Sequence, residues 1–440
     1  MIRIAEANAA YEREALLRPF GFKGGQLTEL WQVAVKLSSP AGRSSIGLGT
    51  QSVLWSDARV FADHSETDGN QLMYALTQKA VSSARETSYA SPMDMCESIV
   101  EEVHEYGQEI TQNRDLRKTF ALNALVALDN AAWLLYAREN DIQRFDDMIP
   151  APYRPALSHR HTRVAGIPLI AYHTPEMDMK AMVEEGHGIL KIKLGQPGPQ
   201  KEMLEKDQAR MAVIHHTIGH LATSHTGRDK LLYYLDANSR YEKKETLLAF
   251  LDHAEKIGAR DQILMIEEPF PETSERDVTG IDVVLAADES AHTDEDALRR
   301  IEMGYRAIAL KPVAKTLSMT LKIAKVAHDR GVSCFCADLT VNPILLEWNK
   351  AVAARLSPMP GLDMGLLEAN GHQNYKNWTR MIGDHPCAGA GWITPVNGDF
   401  QLDCEYYAGS GGIFAPSKHF ESLFTNQKTW GGKDASDNRQ

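Results

Sequence analysis

Seven short segments of the chain share one format: a few apolar residues, then a charged or polar end, then a turn. They are ILKIKLG (189–195), LYYLDAN (232–238), ILMIEEP (263–269), VVLAADES (283–290), AIALKP (307–312), VSCFCADL (332–339) and GLLEAN (365–370). Their ends carry Lys191 and Lys193, then Asp236, Glu267, Asp288, Lys311, Asp338 and Glu368. Asp236, Glu267 and Asp288 fall on consecutive segments. Two like charges about 4 Å apart repel by about 4 kcal/mol at an effective dielectric of about 20. Either some of these acids are protonated or a cation neutralises them. Oxygen-only donors favour a hard divalent ion, Mg²⁺ first and Mn²⁺ second.

Lys193 and Lys311 stand on either side of the acids in chain order. A substrate anchored on the cation would have a lysine on each face. A free lysine, with a pKa near 10.4, is a poor base at neutral pH. Desolvation, a nearby metal and a second ammonium would lower it. Lys191 shares a side with Lys193 and would place positive charge near a substrate carboxylate or depress its neighbour's pKa.

These side chains need a scaffold that brings sequence-distant ends to one place. An earlier segment, IPLIAYHTP (167–175), fits the same scheme without the charged end, making eight strand signals. Helical stretches lie between them, such as KETLLAFLDHAEKIGA (244–259) and KTLSMTLKIAKVAHDRG (315–331), the latter closing at Gly331. Eight strands alternating with helices predict parallel strands and right-handed crossovers. A closed barrel is favoured over a doubly wound sheet, because no glycine-rich phosphate fingerprint follows a strand. Charged residues at strand ends then meet at the C-terminal mouth, where barrel enzymes place their chemistry.

The expected divisions are a capping region at 1–160, the barrel at 161–370, and a loop-rich segment at 371–440 that returns to the cap and ends in a frayed tail. Within the cap, WQVAVKLSS (31–39) reads as a strand, GLGT (47–50) as a turn, and residues 116–140 as a helix. The chain has 440 residues, 43% of them hydrophobic and 24% charged, with a net charge of −12. This balance disfavours nucleic acid and anionic membrane surfaces as main partners. Five cysteines without a CxxC spacing suit a reducing cytosol. No run of about 18 apolar residues is evident and the N-terminus lacks signal-peptide character, so a soluble cytoplasmic protein is expected.

In this order on successive strands, KIK (191–193), DAN (236–238), EEP (267–269), DES (288–290) and the lysine of LKP (310–312) resemble the enolase superfamily, in its muconate lactonizing enzyme-like branch. ALNALVALDNAAWLLYA (121–137) resembles the helix leading into that family's barrel. The resemblance implies a modified (β/α)7β barrel under an α+β cap built from both chain ends. It implies Mg²⁺ on Asp236, Glu267 and Asp288, with Lys193 and Lys311 as acid/base catalysts. The shared chemistry is abstraction of the proton α to the carboxylate of a small-molecule substrate, through an enediolate. Return of the proton to the opposite face gives racemisation or epimerisation; loss of a β-leaving group gives a dehydratase or cycloisomerase. Lysine on the sixth strand and no His–Asp dyad disfavour the mandelate racemase subgroup proper. Dipeptide epimerases of this branch carry Asp-x-Asp on the eighth strand, where this chain reads Glu368-Ala369-Asn370. Asn238, Glu268 and Glu289, beside the expected ligands, are read as their hydrogen-bond partners.

Other signals are weaker. His216 and His220 have a zinc-compatible spacing but no third ligand, so they read as a solvated helix face. GQPG (195–198) lacks the Lys-Ser/Thr of a phosphate loop and reads as a turn. Phe20–Gly25 and Gln51–Trp55 are either loops over the substrate or, for Trp55, cap core. A lysine Schiff-base aldolase on Lys311 and a catalytically silent barrel are the rival readings. Substrate identity, oligomeric state (a homo-oligomer is allowed) and the long 195–232 insertion stay open.

Overall fold

A computed structural model describes residues 1–426 except Gly24, Ser224, His225, Gly227 and Arg228. The C-terminal tail expected to fray lies outside the described residues from position 427 onward.

The cap is a three-stranded antiparallel sheet, β1 (Glu6–Phe22), β2 (Gly25–Ser38) and β3 (Ser44–Gln51), covered by helices α1 (Glu66–Ala84), α2 (Pro92–Thr111) and α3 (Lys118–Glu139). GLGT is not a turn but the middle of β3. Its glycines serve packing: a Cβ on Gly47 would stand 2.1 Å from the backbone nitrogen of Ala131, so α3 lies directly on the strand. That helix is long and apolar enough to cross a membrane, with a mean hydropathy of 1.3, a feature the search for apolar runs overlooks. It is 94% buried in that apolar window, sandwiched as the core of the cap. Burial on every side also explains why its sequence is apolar all round.

The barrel strands are β4 (Arg163–Ile167) with β5 (Leu169–Ile170), β6 (Ile189–Lys193), β7 (Leu232–Asp236), β8 (Ile263–Glu267), β9 (Leu285–Ala287), β10 (Ala307–Leu310), β11 (Ser333–Cys336) and β12 (Gly365–Glu368). Neighbours in this series pair in parallel. Pro168 interrupts the first strand, having no N–H to give a ladder. The segment before it, β4, pairs with β12 and the segment after it, β5, pairs with β6, so the sheet curls back on itself through one continuous stretch of chain. This strand begins four residues earlier than the apolar run at 167–175 suggests. Helices α4 (Glu176–Glu184), α5 (Gln200–Ile218), α6 (Lys244–Lys256), α7 (Asp294–Glu302), α8 (Leu317–Asp329) and α9 (Pro343–Ala353) fill the crossovers. The β8–β9 connection is the exception among the described residues: it has no helix.

Side chains alternate between two cores. Ile189, Tyr234, Met265, Ala286, Ala309, Phe335 and Leu366 pack inside the barrel, whereas Leu190, Leu235, Ile266, Ile308 and Leu367 pack against the helices. Tyr234 and Phe335 meet edge to face there, with ring centroids 5.3 Å apart. The C-terminal segment touches both units. Asp399–Gln401 adds an antiparallel strand to β4, and Tyr375 forms an antiparallel bridge with Leu16 of the cap hairpin.

Candidate active site

The two-residue period carries the inner row of each strand to the mouth. Ile189 faces inward, so Lys191 and Lys193 do too; Tyr234 brings Asp236, Met265 brings Glu267, Ala286 brings Asp288, Ala309 brings Lys311 and Leu366 brings Glu368. Left-handed backbone just past two strands, at Asn238 (φ 45°) and Glu268 (φ 39°), turns the chain sharply there. A small cavity of about 40 Å³ is lined by Lys191, Lys193, Asp236, Lys311, Asp338 and Glu368, with Phe20, Phe22 and Trp55 contributed by the cap.

The charged groups are paired closely. Lys191 Nζ lies 2.7 Å from Glu267 Oε2, 2.9 Å from Glu368 Oε2 and 3.0 Å from Asp236 Oδ2. Lys193 Nζ donates to Asp236 Oδ2 at 2.5 Å and to Asn238 Oδ1 at 2.8 Å. Lys311 pairs with Asp288 Oδ2, and its ammonium lies 4.5 Å from the centroid of the Trp55 ring. Tyr234 donates to Glu267 Oε2. Thus the acids on β7, β8 and the end of β9 are neutralised by ammonium groups. Among the described residues no three His, Cys, Asp or Glu side chains are gathered as a metal shell. Glu267 Oε1 nonetheless stays buried with no partner.

The sequence expectation is that desolvation, a nearby metal and a second ammonium lower a lysine's pKa. For Lys191 and Lys311 the paired carboxylates act the other way. Burial pushes the Lys191 ammonium down, but Asp236, Glu267 and Glu368 outweigh it and hold the pKa well above the ordinary value. Burial likewise pushes Lys311 down, while Asp288 and Glu267 raise it further. Glu267 moves up through burial and the charge of Asp236. Burial also pushes Asp236 and Asp288 up, but the paired lysines carry both below the usual carboxylate range.

The residues beside the expected ligands hold them in place. Glu268 Oε2 accepts the backbone N–H of Asp288 at 2.7 Å and both donors of Ser290. Glu289 Oε1 accepts from Asn238 Nδ2 at 3.0 Å. Asp338 differs from the other strand-end residues. Its inner-row neighbour is Ala337, and its carboxylate is taken up by the N–H groups of Leu339, Val341 and Asn370. Trp55 is both buried and at the site, with its Nε1 3.5 Å from Asp288 Oδ2.

Sequence reading missed Lys315 and Lys23. Lys315 Nζ reaches Asp288 Oδ1 at 3.2 Å and its backbone oxygen at 2.6 Å; the clue was its position one helical turn after Lys311. Lys23, in the cap hairpin's turn, gave no sequence signal. His216 and His220 are exposed, whereas His215, between them and the sheet, bonds Tyr233 Oη at 3.0 Å. GQPG is a turn, pinned by Asp207 on the N–H groups of Gly195 and Gln196.

Residues 176–385 match a family described as enolase C-terminal domain-like. No curated protein matches the chain in sequence. Among solved structures, a dipeptide epimerase from Enterococcus faecalis V583, complexed with Mg and L-Leu-L-Tyr, is 16% identical with a TM-score of 0.63. The match covers 91% of this chain and 98% of that one. The L-Ala-D/L-Glu epimerase from Bacillus subtilis is 16% identical with a TM-score of 0.62, over 91% and 97% of the two chains. The N-succinyl Arg/Lys racemase from Bacillus cereus ATCC 14579 is 15% identical with a TM-score of 0.61, over 85% and 89%. At such identities the likeness is one of fold.

Proposed function

We propose that this chain, whose residues 176–385 match the enolase C-terminal domain-like family, is a Mg²⁺-dependent racemase or epimerase of the enolase superfamily acting on the carbon α to a substrate carboxylate. The observation that carries the reading is that Lys193 and Lys311, from the second and sixth barrel strands, are both buried and line one cavity with Asp236. The named activities of the solved relatives, epimerases and a racemase, support the same class.

The acids fit the ion. Asp236, Glu267 and Asp288 offer only hard oxygen donors from adjacent strand ends, and Glu267 Oε1 is a buried acceptor with nothing to accept. These three would hold Mg²⁺, and Mn²⁺ would substitute. When bound, the ion supplies positive charge that stabilises the enediolate as the α proton leaves. Lys193 takes that proton at Nζ on one face, and Lys311 delivers one at Nζ on the other. Asn238 orients Lys193 through its amide oxygen. Phe22, 5.6 Å from the Lys193 ammonium, and Trp55, over Lys311, exclude water from the two proton-transfer atoms. Lys191 balances the acids on either side of it.

The test is hydrogen exchange in deuterated buffer with a panel of acid sugars, N-acylamino acids and dipeptides. Loss of the α-proton NMR signal is expected with MgCl₂ present and not after EDTA treatment. Glu267→Gln should weaken Mg²⁺ binding in calorimetry. Exchange indifferent to EDTA overturns the metal assignment, and vinyl signals in place of α exchange identify a β-elimination instead.

A further inference from the structure

The outer face of the last barrel strand is covered differently from that of its neighbour. Beyond β12 the chain forms the short helices Gly371–Asn374 and Trp378–Gly383 and then the strand Asp399–Gln401, rather than a helix as long as α9. At Gly166 of β4 a Cβ would stand 3.2 Å from Phe400 Cε2 and 3.3 Å from Pro395 Cγ, so this cover lies against the strand. Between it, α9 and the turn after α4 remains a cavity of about 290 Å³. Leu346, Trp378, Ile393, Pro395 and Phe400 give it apolar walls. Asp338 stands between it and the catalytic cavity, and Glu185 and His372 stand between it and a wider cleft of about 500 Å³.

Its wall holds two acceptors without a donor. His187 is 6% exposed, and its Nδ1 lies 2.6 Å from the Gly166 carbonyl, which can only accept, so Nδ1 carries the hydrogen. Burial lowers the His187 pKa, and the nearby carbonyl and carboxylate only partly oppose this, which leaves Nε2 with a bare lone pair. Glu185 Oε2 faces that atom at 3.9 Å. Among the described residues no lysine or arginine pairs with Glu185, and no group donates to His187 Nε2. Burial pushes His372 down to about 4, so it adds no positive charge. The Asp338 carboxylate is already taken up by three backbone N–H groups. Two acceptors facing each other across 3.9 Å leave a place for one donor group, and an –NH₃⁺ about 2.8 Å from each spans that gap.

We infer that this cavity is a binding site, separate from the barrel mouth, for a primary ammonium carried on a single-ring apolar body. The ammonium donates to His187 Nε2 and Glu185 Oε2, and the ring packs among Leu346, Trp378 and Phe400. The site stands independently of the reaction proposed above. Calorimetry on the full chain with 2-phenylethylammonium chloride tests it. The comparison compounds are 2-phenylethanol, which has the ring without the charge, and ethylammonium chloride, which has the charge without the ring. One-to-one binding of 2-phenylethylammonium, at least 10-fold tighter than either, is expected. Substitutions away from the buried core locate the site. Glu185→Gln removes the charge and Thr394→Trp fills the cavity from an exposed position, and each should weaken binding at least 10-fold. Ala181→Trp, which narrows the neighbouring cleft, should leave the Kd within about 2-fold. Absent binding, a preference below 10-fold, an unchanged Kd in Glu185→Gln, or Thr394→Trp weakening binding no more than Ala181→Trp overturns the inference.

Discussion

Lys23 Nζ lies 2.9 Å from Glu289 Oε1, so the turn of the cap hairpin is ion-paired to a fully buried acid next to Asp288. Lys23 also donates to the Trp55 carbonyl at 3.4 Å. One lysine thereby joins the hairpin that carries Phe20 and Phe22, the loop that carries Trp55, and the barrel mouth.

Breaking one side of a buried pair leaves the other charge uncompensated, a loss of about 3 kcal/mol or more. Lys23→Ala should therefore lower the denaturation midpoint strongly, and adding Glu289→Gln should recover part of the loss. A denaturant titration showing Lys23→Ala within about 0.5 kcal/mol of wild type, the range of an ordinary surface change, would contradict the pairing.

In the proposed two-lysine reaction each lysine serves one stereoisomer. Lys193→Ala and Lys311→Ala should each reduce interconversion of isomers by about 10²–10⁴-fold. Each variant should still exchange the α proton of the isomer that faces its remaining lysine. NMR with the separate isomers checks this; loss of exchange for both isomers in one variant points to a single base.

Asp129 ties α3 of the cap to the start of α8, accepting from the Ser318 N–H at 3.1 Å and from its hydroxyl. Burial pushes its pKa up to about 7, and the hydrogen bonds from Ser318 only partly oppose this. The folded protein thus holds a proton that the unfolded chain releases near pH 4. The stability this gives is complete below about pH 4 and is lost as pH rises through about 7. Asp129→Asn should flatten the unfolding free energy across that window by a few kcal/mol, on the order of 1.4 per pKa unit. A variant with the wild-type pH dependence removes Asp129 as its source.

Gly47 meets α3 backbone to backbone. A methyl there would stand 2.1 Å from Ala131 N and 2.3 Å from Ala127 O, atoms that cannot rotate away. Gly47→Ala should cost about 3 kcal/mol or more, through forced separation of helix and sheet. At Gly49 the nearest contact is 3.0 Å, so Gly49→Ala should cost less. Thermal melts of the two variants give the order, and the reverse order contradicts this packing.

Strand periodicity and charge made much of the barrel legible before any coordinates. Ile189, Lys191 and Lys193 share a face because side chains alternate, and that local rule holds in any strand. It also ranked Asp236, Glu267, Asp288, Lys311 and Glu368 as residues of one mouth. Alternation said nothing reliable about Asp338, because it lies beyond the regular part of β11, where the chain has left the two-residue period. Nor could it show that GLGT is strand, since glycine reads as a turn unless the helix pressed against it is known.

The sequence alone determined which side chains lie at strand ends, because that follows from the spacing of apolar residues along one chain. Only the tertiary structure decided what those side chains do to each other. Whether a buried lysine is pushed down or held up depends on the sum of desolvation and neighbouring charge, and the neighbours of Lys311 and Lys191 come from other strands. Lys23 reaches Glu289 across 266 positions of chain, a contact made by how the cap sits on the barrel and left unmarked by any local pattern.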